Sequence, residues 1–491
     1  MLKKQKVVLS ARGVKKYHTF SGVNKDLRNL ISSMRNVIVY FDPDVDGCIS
    51  GLLVCKHLSK LGINFEWYIN SNRSHDWTLD IEKIRGRDII AVDFLISRDK
   101  IEELCNAGCN IVSMDHHNCG SEFIEYSVNG KRGVVINNQY PFEEDDGKYL
   151  SGAGVVFESL VAIDPSFDTL ANRVLVGITL LSDIRDIENP LAENYLYDLY
   201  SHKYEGYIKY LIMSTIGERD YGFGLPKMDR NYVDFKFSPA VNACLRFNRQ
   251  DEVVNFFLGK GKLNLEYRDK QQDLVHEVMG SMKTVDFPHL RVCYFNEEDF
   301  MDKDYMEVLS SFVGLIASRC LDDGHSAICY MIAKGLSGKP YVKRASFRGK
   351  VNGLDYQSAL SKLFLCVGHK PAFGIKGMKP SKALFEKASE LCGYVEANSD
   401  YKRSIIDVNN LSLFVNGSAY QVAEDNLYKL SQNKVMIRYT GSAIENKRSG
   451  ANYKEYSVNG IPVLSFNLKK DFSNGLIMPM LERGLLTFYL E

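Results

Sequence analysis

The sequence predicts an α/β protein: a parallel-sheet domain, a smaller α/β domain joined to it by a helical connector, and a β-rich C-terminal domain. Three observations predict it. From Val37 to about Leu181, short apolar runs rich in β-branched residues alternate with helix-like segments. A second such alternation runs from about His289 to Leu391. Beyond Tyr401 only short strands and turn signals remain. The expected boundaries are 1–215, 216–288, 289–396 and 397–491.

In chain order, Val37–Phe41 reads as a buried strand ending at Asp42, and Ile49–Leu61 as a helix stopped by Gly62. Ile63–Ile69 and Asp88–Asp93 read as strands, the second ending on an acid. Lys100–Ala107 is helical, Asn110–Asp115 is a further acid-ended strand, and Gly133–Asn137 is one more. This βαβ rhythm calls for a parallel sheet covered by helices on both faces. Thr169–Leu181 reads as an apolar helix leading into Asp183, and the chain around Asn194–Tyr210 is helical. Helical segments near Asp251–Leu258 and Gln271–Thr284 mark the connector. The strands of the second unit include Leu290–Tyr294 and Ala327–Ala333, with Ser310–Leu321 a helix between them. Val435–Tyr439 and Ile461–Phe466 are strands of the tail.

Length and composition set the outer limits. A chain of 491 residues exceeds one ordinary core. It is 45% hydrophobic and 25% charged, the balance of a soluble globular protein. No stretch is apolar for long enough to span a bilayer, and the basic start Met1–Lys6 lacks the apolar run of a signal peptide. A cytoplasmic location, away from membranes, is the expectation. The 11 cysteines form no C-x-x-C pair and read as small buried hydrophobes. Equal numbers of basic and acidic residues, 61 each, leave any nucleic-acid surface a local matter.

The chemistry concentrates at strand ends. Ligands of parallel sheets bind at the carboxyl ends of the strands. Three predicted strands end in Asp42, Asp93 and Asp115. Asp42-Pro43-Asp44-Val45-Asp46-Gly47 crowds three carboxylates into six residues, which is costly unless cations neutralise them. An EF-hand is excluded, because its closing Glu would fall at Leu53. Carboxylates mixed with the imidazoles of His116 and His117 suit Mn²⁺ or Mg²⁺ better than calcium. Adjacent histidines cannot readily point one way from a strand, so one is expected to serve the metal and the other the leaving group or a phosphate. Two metals sharing carboxylates are a standard device for phosphate-ester hydrolysis and need no Ser, Cys or Lys nucleophile.

At these residues the sequence resembles the DHH phosphoesterase superfamily, named for the run seen here at Asp115-His116-His117. Asp42–Gly47 looks like its first motif, Val92-Asp93 its second, Asp183 its fourth, and Ser151–Phe157 the helix start after the third. The resemblance implies Asp42, Asp44, Asp46, Asp93, His116 and Asp183 as ligands of two Mn²⁺ or Mg²⁺ ions. It implies Asp115, His116 and His117 as catalytic residues. Gly368–Gly374 resembles the signature of the associated substrate-binding domain, with Val367 in place of its first Gly, and Ser346-Phe347-Arg348 resembles that domain's substrate-facing strand. Ser346, Arg348, Gly368 and His369 are therefore expected to bind substrate, with a Gly-rich turn bringing backbone N–H groups to a phosphate.

Order and spacing look most like the RecJ branch of single-strand-specific exonucleases. Tyr40 stands where many small oligonucleotide phosphodiesterases of the superfamily carry His, and the 68–73 stretch ending in Arg73 resembles a RecJ segment. Arg73 joins the expected substrate-binding residues. The likeness covers roughly residues 35–395. It implies a 5′→3′ exonuclease on single-stranded DNA. The alternatives are a phosphodiesterase for short RNA or cyclic dinucleotides and a non-catalytic nucleic-acid-binding scaffold. RNA and short oligonucleotides are the alternative partners; the sequence names no protein partner. The tail sets Tyr439, Tyr453, Tyr456 and Phe466 near Arg438, Lys447, Arg448 and Lys454. That mixture suits stacking on single-strand bases, and it equally suits ordinary strands with solvated lysines.

Overall fold

The computed structural model describes residues 23, 25–70, 77–117, 125–139, 149–183, 190–201, 206–215, 232–301, 303–321, 324–335, 337–351, 354–398, 404–409, 435–441, 444–449, 453–459, 461–465, 476–482 and 485–490. Arg73 and Phe466 lie outside these residues. The chain divides into two compact units. One joins Phe20–Glu143 to Pro239–Tyr401, and the other joins Met1–Thr19 and Glu144–Ser238 to Lys402–Glu491.

The first unit holds two sheets. Its first sheet consists of β1 (Val37–Phe41), β2 (Phe65–Ile69), β3 (Ile89–Val92), β4 (Ile111–Asp115), β5 (Glu125–Val128) and β6 (Lys131–Asn137), in the order β2-β1-β3-β4-β6-β5. The strands from β2 to β6 in that order run parallel, and β5 closes the edge as an antiparallel hairpin with β6. β1, β3 and β4 are buried along their whole length, which is why they read as continuous apolar runs rather than alternating ones. β5 is the strand of this sheet that the sequence did not announce. Its four residues alternate between exposed and half-buried, so no apolar run marks it.

Helices begin where side-chain oxygens can take up free N–H groups. Asp44 caps the helix Val45–Lys60 by accepting from Gly47 N at 2.9 Å. Ser97 caps Arg98–Asn106 by accepting from Lys100 N. At the opposite end of the sheet, Asp88 accepts from Arg35 N, Asn110 N and Asn110 Nδ2. That acid is spent on closing loops and stands away from the acid-ended rim.

The second sheet contains β7 (Lys283–Phe287), β8 (Leu290–Asn296), β9 (Ser326–Lys334), β10 (Pro340–Arg348), β11 (Leu365–His369) and β12 (Ala372–Lys376), in the order β11-β12-β10-β9-β8-β7. Only β8 and β9 are parallel. One face packs on the helix Lys382–Ala397 through residues such as Val292, Ile328, Phe347, Phe373 and Phe385. The other packs on Val313–Arg319 and Glu266–Ser281. Gln250–Phe257 is the connector helix, and it lies against Val45–Lys60.

In the second unit, the helices Gly152–Ile163 and Leu170–Ser182 pack together, and Ser151 Oγ meets Thr179 Oγ1 at 2.7 Å in the interior. Pro190–Ser201 and Gly206–Met213 follow. Its tail is a seven-stranded mixed sheet of β13 (Ser404–Val408), β14 (Val435–Tyr439), β15 (Ile444–Ser449), β16 (Lys454–Val458), β17 (Ile461–Ser465), β18 (Leu476–Glu482) and β19 (Leu485–Leu490), in the order β13-β14-β18-β19-β17-β16-β15. Among the described residues no pairing closes it into a barrel. Tyr439 and Tyr456 are buried core residues, so neither is a stacking platform for bases. Nine of the ten described cysteines are buried, as small hydrophobes would be. Among the described residues, no helix is long and apolar enough to cross a membrane.

Candidate metal centre and phosphate row

The carboxyl ends of β1, β3 and β4 lie side by side, and each delivers an acid. Parallel register sets Phe41 against Val92 and Val92 against Met114, so Asp42, Asp93 and Asp115 leave the sheet at one level. Asp42, Asp93 and Asp115 are buried, as is Asp46 in the first turn of the following helix. Asp42, Asp44 and Asp93 each place a carboxylate oxygen within 4.8 Å of the others. A second group of the same span joins Asp93 and Asp115 to His116 and His117.

Two backbone features make this crowding possible. Gly47 has no room for a side chain, because a Cβ there would lie 2.4 Å from the carbonyl oxygen of Asp42. Asp93 adopts φ 54°, a left-handed conformation that costs a non-glycine residue of order 1–3 kcal/mol. The turn aims its carboxylate at the cluster rather than along the strand.

The two histidines meet different carboxylates, although their ring centroids lie 4.6 Å apart and both rings enter one cluster. His116 Nε2 lies 3.0 Å from Asp93 Oδ1 and 3.7 Å from Asp46 Oδ2. His117 Nδ1 lies 2.8 Å from Asp115 Oδ1. Burial opposes the charge on Asp115, but His117, by charge and hydrogen bond, and then His116 outweigh it and bring its pKa down to about 2. Asp93 goes the other way. Burial first, then the charges of Asp46, Asp44, Asp42 and Asp115, push its pKa well above the usual carboxylate range. A cluster that raises its own central acid this far is built for cations. Oxygen donors with one imidazole fit hard divalent ions.

Sequence reasoning missed Asn137. It ends β6 directly opposite Asp115, and its Nδ2 donates to His117 O at 2.9 Å and reaches Asp115 Oδ2 at 3.5 Å. Its Oδ1 accepts from Gln139 N at 2.7 Å. An amide at a strand end reads as a turn signal, so only the pairing with β4 reveals its place. Tyr40 is buried behind the rim, packed on Trp77, Phe94 and Tyr68, with its hydroxyl on Thr78 Oγ1 at 3.1 Å. Asp183 belongs to the other unit, where it caps the C-terminus of Leu170–Ser182.

The second sheet brings His369 to the same place. Its ring stacks on His117 at 5.2 Å between centroids and stands 5.4 Å from His116. The expected Gly-rich turn is absent here, because Gly368 lies in β11 opposite Phe373 and the turn itself is Lys370-Pro371. Glycine is needed for another reason. Gly368 has φ 137°, and a Cβ would sit 2.9 Å from Phe373 Cα. Gln357 fixes the hairpin, donating from Nε2 to Gly368 O and from its backbone N to Lys370 O, both at 3.0 Å.

Arg348, Ala372 and His369 form one cross-strand row over β10, β12 and β11. Directly paired residues face the same side of a sheet, so Arg348 and His369 share a face. Arg348 donates to Ser346 Oγ at 2.8 Å, Phe347 O at 2.7 Å and Ser318 Oγ at 3.2 Å. Among the described residues no carboxylate pairs with it. Burial, then the nearby charge of Arg344, lowers its pKa to about 10, against a weaker opposing pull from Cys329. A half-buried guanidinium held only by neutral oxygens is poised for an external anion. Ser346 is buried and donates to Phe373 O, so its part is to hold Arg348.

Comparisons with known proteins agree with this geometry. Residues 36–178 match the model of the DHH family, N-terminal domain. This segment belongs to the DHH family. The chain is 22% identical over 371 residues to the single-stranded-DNA-specific exonuclease RecJ of Bacillus subtilis (strain 168). The match takes in 71% of this chain and only 43% of that relative's length. The fold is similar to that of RecJ from Thermus thermophilus in complex with Mn²⁺, at TM-score 0.64 and 16% identity, covering 99% of this chain and 72% of the other. The Mg²⁺ complex of that protein gives TM-score 0.58 at 16% identity, covering 97% and 70%. At these identities the likeness is one of fold, and it extends beyond the DHH segment.

Proposed function

We propose that this protein is a metal-dependent exonuclease acting 5′→3′ on single-stranded DNA and releasing mononucleotides. The observation that carries the reading is the meeting of a buried acidic rim with the Arg348–His369 row inside one unit. Asp42, Asp44, Asp46, Asp93 and His116 would hold two Mn²⁺ or Mg²⁺ ions, and Asp183 joins them on the strength of its motif. When bound, such ions activate a water and stabilise charge on the phosphate. The chain's residues do the rest. Asp115 orients His117 through Nδ1, leaving Nε2 to give a proton to the leaving oxygen. Asn137 holds the His117 backbone in place. Arg348 and His369 fix phosphate oxygens on a half-buried face, where charge-assisted hydrogen bonds are stronger than in open water.

The name of the Bacillus subtilis relative supports single-stranded DNA as substrate, and Tyr40 supports that branch over the short-oligonucleotide phosphodiesterases. The test is digestion of strands labelled at either end, with Mn²⁺ or Mg²⁺. Mononucleotides from the 5′ end of single strands, with duplex spared, are expected. Equal attack on duplex, release from the 3′ end, or activity confined to oligomers of two to five nucleotides would overturn the reading.

A further inference from the structure

Three imidazoles converge beside the carboxylates. His116 and His117 follow β4, and His369 ends β11. One ring nitrogen of each lies within 4.8 Å of the other two. The acidic rim takes His116 through Nε2, which faces Asp93 and Asp46. We propose that the trio forms a second cation site that competes with the rim for His116 and is selective for a nitrogen-preferring divalent ion of the zinc class.

The donor chemistry separates the two sites. Mg²⁺ and Mn²⁺ favour oxygen, while three imidazoles with an open fourth position suit tetrahedral Zn²⁺. A Zn–N bond of about 2.0–2.1 Å puts tetrahedral nitrogens about 3.3 Å apart, so the trio must close by at most about 1.5 Å. Turning His369 about χ2, a broad torsion, brings its nitrogen toward His116 and His117 while Asp115 keeps hold of His117. The surroundings suit a ligating histidine. Asp115 takes His117 Nδ1 at 2.8 Å, the carboxylate support that orients an imidazole and leaves Nε2 for a metal. Gln357 holds the hairpin that carries His369. An ion there ties the end of β4 to the β11–β12 hairpin and withdraws His117 and His369 from other work.

The inference goes beyond the nuclease reading and does not depend on it. It is tested by equilibrium dialysis of the full chain against Zn²⁺ in excess Mg²⁺. The unaltered protein is expected to bind one Zn²⁺ more than His369→Gln, and Asp44→Asn is expected to keep that ion. With Co²⁺ as a probe, the visible absorption of a tetrahedral site should appear in the unaltered protein and in Asp44→Asn, and vanish in His369→Gln. Equal Zn²⁺ in the unaltered protein and His369→Gln, or loss of the ion in Asp44→Asn, overturns the proposal. Should His369→Gln melt differently without metal, His117→Gln makes the same decision, with loss of the ion expected and its retention overturning the site. Absence of nuclease activity would leave every one of these outcomes unchanged.

Discussion

The two sheets of the first unit solve opposite electrostatic problems. The rim of β1, β3 and β4 gathers carboxylates at the ends of parallel strands, and burial drives Asp93 toward its protonated form. The β10-β12-β11 row gathers Arg348 and His369 across antiparallel strands, and burial weakens the hold of Arg348 on its proton. Neither region is complete by itself. The acids want cations and the guanidinium wants an anion. A metal-bound phosphate satisfies both at once, and the His117–His369 stack is where the two regions touch.

The sharpest way to break this comparison is to empty the acidic side. Asp44→Ala and Asp93→Ala should each abolish hydrolysis, since metal stabilisation of transition-state charge is worth several kcal/mol, or a loss on the order of 10³-fold. The same variants should lose the rise in melting temperature that Mn²⁺ gives the unaltered protein and that a chelator reverses. An Asp93→Ala protein that still gains stability from Mn²⁺ would show that the rim is not the metal site. Arg348→Ala should leave metal stabilisation intact and weaken substrate binding. Breaking one charged contact to a phosphate costs roughly 1.5–3 kcal/mol, read as a rise in KM of about 10- to 150-fold.

Much of the acidic region was legible because buried parallel strands and their terminal acids are local in sequence. Val37–Phe41 and Asn110–Asp115 announce both the strand and the residue it delivers. The basic row is less legible because it depends on register between strands far apart in the chain. Nothing in Gly368-His369 alone shows that Gly368 is a strand residue, or that His369 lies one pair away from Arg348. Strand β7 was hidden inside what reads as helical connector, since Lys283–Asp286 is exposed and carries no apolar run. Tyr439 and Tyr456 stayed undecided in the sequence for a related reason. Aromatic residues on strands look alike whether they face a core or a base.

Asn137→Ala probes the support beneath the rim. Loss of an outer partner that orients a ligand costs typically about 10–100-fold in metal affinity or activity. Asn137 holds His117 and Asp115, so the rate of hydrolysis should fall by that factor while the fold persists. On the other side, Gly368→Ala forces a side chain into φ 137° against Phe373 and should cost about 1–3 kcal/mol of stability. Its effect on catalysis should resemble that of His369→Ala, because both release the same hairpin end.

Tyr40→Phe is the mildest test and separates the rim from what lies behind it. The hydroxyl meets Thr78 Oγ1 at 3.1 Å and accepts from Thr78 N at 3.3 Å, while Thr78 Oγ1 donates onward to Asn70 Oδ1. Removing it leaves the ring packed on Trp77 and Phe94, so the loss is one hydrogen-bonded link, about 0.5–1.5 kcal/mol. Urea unfolding should show a lower midpoint with an unchanged slope. Mn²⁺ affinity should not move, because the Tyr40 hydroxyl is engaged by Thr78 and its ring is packed on Trp77 and Phe94. A tenfold fall in that affinity would place Tyr40 in the metal centre and redraw the boundary between the rim and its support.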